Sequence, residues 1–198
     1  MTQRHATIRA RELEASRRSG PAISGGLLTC ALLLGPAAAE AGTPSDTQAD
    51  RPAVVLSAGT FALVESYGYP YRLGIQYRFP TRGRWSLEPG LGAAFGPDGM
   101  AFLYVDLLRD FRVGERWFVT PSLAAGYFAN GDGIGVNEQL EFQSAIALSR
   151  LLDSGLRVGL AVHHVSNGGL ESPNNGTESL VVFVRYPLGR PTPNPRGP

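Results

Sequence analysis

The 198-residue chain has three histidines, and two of them, His163 and His164, stand side by side. The third, His5, belongs to a basic leader, so any histidine-dependent chemistry falls to this pair. Leu156, Val158, Leu160, Val162, His164 and Ser166 share one parity, while Arg157, Gly159, Ala161, His163 and Val165 share the other. Side chains along a strand repeat with period two, so His164 and Ser166 would project from one face, ~7 Å apart. An imidazole can reach a hydroxyl over that span. Glu178 lies in phase with Leu180, Val182, Val184 and Tyr186 in the next segment. An antiparallel hairpin would start Glu178 about where His164 and Ser166 end. Hydroxyl, imidazole and carboxylate gathered this way are the parts of an activated-nucleophile site. Taken singly, each reads as a polar residue at a membrane rim, with Glu178 reaching for the headgroups. Their convergence favours chemistry.

Composition narrows that chemistry. Formal net charge is +1 and every one of the 18 basic residues is arginine. Near-neutrality gives no reason to expect nucleic acid as a partner. Without lysine there is no Ser–Lys dyad, Schiff-base lysine or Walker-type phosphate loop. The one cysteine, Cys30, sits in an apolar leader, so after cleavage the remaining chain carries no disulfide or cysteine metal site. No Gly-x-Ser-x-Gly elbow occurs, which disfavours an α/β-hydrolase. Gly131-Asp132-Gly133-Ile134-Gly135 lacks the ligand count of a calcium loop and reads as a turn. Neither a cofactor nor a metal is expected.

The segment from Asn167 to Thr177, NGGLESPNNGT, joins the two halves of the candidate site. Its glycines permit close backbone approach to a ligand, and asparagine side chains can donate to an oxyanion. The same composition would also suit an ordinary turn-rich loop.

The elements that must hold these residues are strands. No helical period of useful length appears after residue 52, and short alternating runs are punctuated by Gly, Pro and Asp. Strands are predicted near 54–63, 71–79, 85–95, 100–110, 117–128, 138–150, 156–166 and 177–186. Alternation is clear from Glu138 and in 71–79, where Tyr71, Leu73, Ile75, Tyr77 and Phe79 oppose Arg72, Gln76 and Arg78. In 100–110 it supports no face assignment. Runs of ~9–11 residues with one apolar and one polar face suit an eight-stranded antiparallel transmembrane β-barrel with the apolar face outward. A soluble sandwich or lipocalin-like barrel would turn the same faces the other way. The export signal and cysteine-free chain favour the membrane. Glu88, Glu141, Arg72, Arg78, Arg157 and Arg185 would then face inward, where they could pair and fill a narrow lumen. Trp85 and Trp117 are each expected to open a strand at the periplasmic interface.

Residues 1–41 read as the signal: arginines at 9, 11, 17 and 18, an apolar core Leu27–Leu34, and small-residue cleavage patterns at 37–39 and 39–41. That core is shorter than the ~20 residues a spanning helix needs. Residues 42–53 are a polar lead-in, 54–187 the barrel and 188–198 a Pro-rich tail.

The series His164-Val165-Ser166-Asn167-Gly168-Gly169-Leu170, then Pro173-Asn174-Asn175-Gly176 and Glu178, resembles the lipid A 3-O-deacylase (PagL-type) family of outer-membrane barrels. The resemblance is sharp from about 156 to 186 and architectural before that. It implies a serine nucleophile at Ser166, its histidine base at His164 and an orienting glutamate at Glu178. It also implies oxyanion donors at Asn174, with Gly168 and Gly169 as helpers. The implied activity is hydrolysis of the ester-linked 3-hydroxyacyl chain of lipid A, in the outer leaflet of the outer membrane. Lipopolysaccharide is the implied partner, and a homodimer stays open. An outer-membrane phospholipase and a non-catalytic structural or adhesive barrel are the rivals. The Pro-rich stretch beyond Tyr186 departs from the family's usual ending on its last strand.

Overall fold

The computed structural model describes residues 51–63, 69–131, 139–170 and 176–189. The expected signal with Cys30, most of the lead-in, Asn174, most of the 131–135 turn and the tail from 190 on lie outside the described residues.

Alternation at this strand length permits a closed sheet, and a closed sheet forms. The strands are β1 (Ala53–Phe61), β2 (Tyr71–Arg78), β3 (Glu88–Phe95), β4 (Ala101–Leu108), β5 (Phe111–Arg112), β6 (Trp117–Ala129), β7 (Leu140–Leu151), β8 (Arg157–Ser166) and β9 (Thr177–Pro187). Consecutive long strands pair antiparallel, β1 also pairs with β9, and β4 pairs with β6. The eight long strands are therefore a closed barrel, and β5 is a two-residue addition on β6. Two residues are too few to establish a period, so β5 was not legible in the sequence. Closure leaves each of the eight long strands paired on both sides, which hydrocarbon demands. We call the end where the chain enters β1 and leaves β9 the terminal end, and the opposite one the loop end.

The faces fall as the alternation predicts. Leu160 and Val162 of β8, Leu180, Val182 and Val184 of β9, and Ile146 and Leu148 of β7 are exposed on the outer wall. In β4, Phe102, Tyr104, Asp106 and Leu108 point inward and Leu103, Val105 and Leu107 outward. The β4 pattern is blurred in sequence because its inward residues are themselves mostly large and apolar. Trp117 opens β6 as expected, with Arg150 of β7 5.9 Å from its ring. Trp85 instead sits in the turn before β3, closed by an Arg82–Leu87 bridge, with Arg84 over its ring.

Inside, three layers stack. At the loop end Phe61, Met100, Phe102, Tyr104, Phe128 and Val165 form an apolar plug. Tyr104 lies where a side chain on its cross-strand partner Gly92 would have to go, so that glycine makes room for the ring. Towards the terminal end Arg185 donates to Glu88 (2.8 Å), Arg78 approaches the same carboxylate (3.6 Å), and Arg157 pairs with Asp110. Between these layers Arg72 departs from the expected ion pairing and meets neutral side chains. The filled lumen leaves a cavity of about 40 Å³ among the described residues, room for a water or so rather than a pore.

Candidate active site

Strand register brings the predicted residues together. His164 of β8 and Glu178 of β9 are direct cross-strand partners. Both side chains point to the outer wall, and Nδ1 of His164 lies 3.0 Å from Oε1 of Glu178. A carboxylate can only accept, so the imidazole donates through Nδ1 and its Nε2 is left for a second partner. The pair is half open to the surroundings, with side-chain exposures of 49% and 31%. It is an accessible pair, aligned by the hairpin rather than by burial.

Ser166 follows two residues along β8 on the same face and is half-buried. Its cross-strand partner on the other side is Phe142 of β7, and Ser144 stands opposite His164. Among the described residues no hydrogen bond joins Ser166 to His164. Between the two, Val165 turns inward into the loop-end apolar plug, which anchors this stretch of β8. The backbone of Glu178 is held in turn: its carbonyl accepts from Leu63 N–H at 3.3 Å, and the neighbouring Thr177 hydroxyl accepts from Ala62 N–H.

The segment after Ser166 is organised by Asn167, which is buried. Its Oδ1 accepts from Gly169 N–H at 2.8 Å, and its carbonyl from Leu170 N–H at 3.3 Å. Gly168 and Gly169 have φ of 67° and 81°, which side-chain-bearing residues rarely adopt. The Gly169 amide would therefore have to leave Asn167 to serve an oxyanion. The organising role of Asn167 was not read from the sequence, although a short amide side chain two residues before a glycine is an Asx-turn signal. Gly176 closes the site from the β9 side: a Cβ there would lie 2.9 Å from Cε1 of His164.

Away from β8 the outer wall dips. Val105, Leu107, Leu123, Ala125 and Phe142 line an apolar depression across β4, β6 and β7. It opens on Phe142, the residue opposite Ser166. Among the described residues no cluster of three or more metal-ligating side chains occurs.

A closed barrel with an apolar outer wall, carrying a serine, a histidine and a glutamate side by side on that wall, is a membrane β-barrel equipped with the residue types of an ester hydrolase. Comparison with known proteins gives the family. Residues 70–187 match the model of the lipid A 3-O-deacylase (PagL) family, and the chain belongs to that family of ester hydrolases. The lipid A deacylase PagL of Bordetella bronchiseptica is 26% identical over 133 residues, which covers 58% of this chain and 75% of that protein. The lipid A deacylase PagL of Pseudomonas aeruginosa is 23% identical over 139 residues, 61% of this chain and 79% of that protein. A crystal structure of the outer membrane enzyme PagL superposes with a TM-score of 0.52 at 22% identity, covering 69% of this chain and 99% of that one, which is a likeness of fold.

Proposed function

We propose that the chain is a serine esterase that removes the ester-linked 3-O-acyl chain of lipid A in the outer leaflet of the outer membrane. The observation that carries this reading is the His164–Glu178 hydrogen bond on the hydrocarbon-facing wall, with Ser166 on the same face. A carboxylate hydrogen-bonded to an imidazole is costly there unless it lies near the headgroups, and costly intramembrane groups are retained for function. Family membership supports lipid A as the substrate.

In this mechanism His164 Nε2 takes the Ser166 hydroxyl proton as Oγ attacks the ester carbonyl carbon. Glu178 holds the Nδ1–H tautomer and stabilises the imidazolium that forms. Asn174, with the Gly168 N–H and the Gly169 N–H once released from Asn167, would donate to the tetrahedral oxyanion. Collapse breaks the ester bond, the sugar oxygen leaves with the proton from His164, and the acyl group stays on Ser166. Water, deprotonated by His164, then releases a 3-hydroxy fatty acid and restores the serine. The loop end would face outward from the cell, which sets the site at outer-leaflet headgroup depth. The depression beside Phe142 would take the acyl chain.

Mass spectrometry of lipid A and phospholipids from cells expressing wild type or Ser166→Ala tests this. Loss of one hydroxyacyl chain in wild type, abolished in Ser166→Ala, is expected. Lysophospholipid with intact lipid A would select a phospholipase instead. No change in either pool would leave a structural barrel.

A further inference from the structure

We infer that Arg72 is a positioning residue for the outer-wall site, clamping β7, β8 and β9 from inside the barrel at the height of His164, Ser166 and Glu178. The inference rests on the reading of those three as the catalytic group.

Arg72 is on β2 and is buried, 2% exposed as a residue. Around the closed sheet β2 and β7 are diametrically opposed, with β1, β9 and β8 between them on one side. Its guanidinium nevertheless reaches all three far strands. Nη1 donates to Ser179 Oγ of β9 at 2.8 Å and meets Nδ1 of His163 on β8, and Nη2 donates to Gln143 Oε1 of β7 at 2.9 Å. A guanidinium has donors alone, so His163 accepts through Nδ1 as a neutral ring.

Those three acceptors are the inward-facing neighbours of the outward site. His163 precedes His164, and Ser179 follows Glu178. His163 and Ser179 are cross-strand partners, just as His164 and Glu178 are. Gln143 pairs with Val165, the residue between His164 and Ser166. Because consecutive side chains leave opposite faces, fixing an inward side chain fixes the backbone orientation that aims its outward neighbour. One planar fork thus ties together the three strands that bear or flank the site.

The other inward arginines behave differently. Arg78, Arg157 and Arg185 each meet a carboxylate, Glu88 or Asp110. Filling and neutralising the lumen accounts for them. Arg72 meets neutral acceptors on three separate strands, which is the arrangement of a clamp. An aromatic ring, Phe61, lies 5.3 Å from its guanidinium carbon and limits where the group can go.

The test uses the full chain folded in detergent, with a fluorophosphonate probe that phosphonylates an activated serine, alongside steady-state lipid A turnover. Arg72→Met is expected to slow both Ser166 labelling and kcat by about tenfold or more, with KM within about twofold and the heat-modifiable folded band unchanged. Arg72→Lys, which keeps cationic donors, recovers part of the loss. Phe118→Leu, a core change towards the terminal end, labels at the wild-type rate even where it lowers the thermal midpoint. Wild-type labelling of Arg72→Met overturns the clamp. Should Arg72→Met fail to fold, Ser179→Ala removes one acceptor and is expected to slow labelling about threefold; labelling at the wild-type rate overturns the clamp there too. A wild-type protein that is not labelled at Ser166 overturns the catalytic reading itself, and the clamp with it.

Discussion

Nδ1 of His164 lies 3.0 Å from Oε1 of Glu178 because the two residues are direct partners across the β8–β9 hairpin. The same ladder that closes the membrane barrel therefore orients the imidazole. The pair is kept in register by the hydrogen bonds of the hairpin. Four expectations follow from this geometry and from the barrel around it.

Replacing Glu178 by glutamine keeps the shape but loses the acceptor that selects the Nδ1–H tautomer. The expected loss in kcat is ~10²–10⁴-fold, by analogy with carboxylate-to-amide changes in other triads. Folded yield should be unchanged, since both groups are partly exposed. Steady-state hydrolysis of lipid A in mixed micelles, compared with the heat-modifiable band, reads both quantities. Wild-type turnover in Glu178→Gln would remove the glutamate from the mechanism.

Gly176 gives His164 its space. An added methyl would lie 2.9 Å from Cε1 and 3.4 Å from Nε2 of the ring, and 3.0 Å from the Val165 carbonyl. Gly176→Ala is expected to swing the imidazole off its line to Ser166 and lower kcat by ~10–10²-fold, the scale of an ångström-sized misplacement. A histidine-ring NMR signal that stays at its wild-type position in the variant would show that the site absorbs the methyl.

The outer wall should reject charge according to depth. Leu160 lies near the middle of β8 and is 52% exposed on the outer face, whereas Tyr186 is close to the end of β9. Leu160→Arg is expected to cost ~2–4 kcal/mol of folding in vesicles and Tyr186→Arg ~0–1. Equilibrium unfolding in lipid vesicles measures the difference. Equal costs at the two positions would argue against the depth assigned to them.

Asp110 sits in the turn between β4 and β5. Burial would raise its carboxyl, but the neighbouring Arg157, with Arg78 and the Thr120 hydroxyl, brings it down to about 2. An unfolded aspartate titrates near ~3.9. Stability from this lowered group is present above the unfolded value and lost as pH falls through about 2. Denaturant midpoints in detergent should therefore fall between pH 4 and pH 2 more steeply in wild type than in Asp110→Asn. The variant should also start lower at neutral pH, because Arg157 is then left buried without its carboxylate. Parallel curves would show that other carboxylates carry the acid sensitivity.

The fold was largely legible from alternation. Strands β2, β7, β8 and β9 could each be read with their faces, because lipid outside and polar filling inside impose opposite residue types on alternate positions. Strand β4 resisted that reading. Phe102 and Tyr104 face inward into an apolar plug, so the contrast between faces vanishes where the lumen is also apolar. Trp85 was expected at a strand start and lies in a turn, because aromatic belts mark membrane depth rather than strand boundaries.

By itself the sequence determined that His164, Ser166 and Glu178 share the apolar face of their strands. Parity along a strand is a local property, and it can be read within one segment; that the apolar face is the outer wall is shown by its exposure around the closed barrel. Tertiary structure alone decided that β4 meets β6 to close the wall, that His164 stands opposite Glu178 without a register slip, and that Arg72 reaches across the lumen to the strands behind them. Register and closure depend on hydrogen bonds between segments as distant in sequence as Ala53 and Pro187, from the first strand to the last, and those pairings leave no periodic trace in the chain.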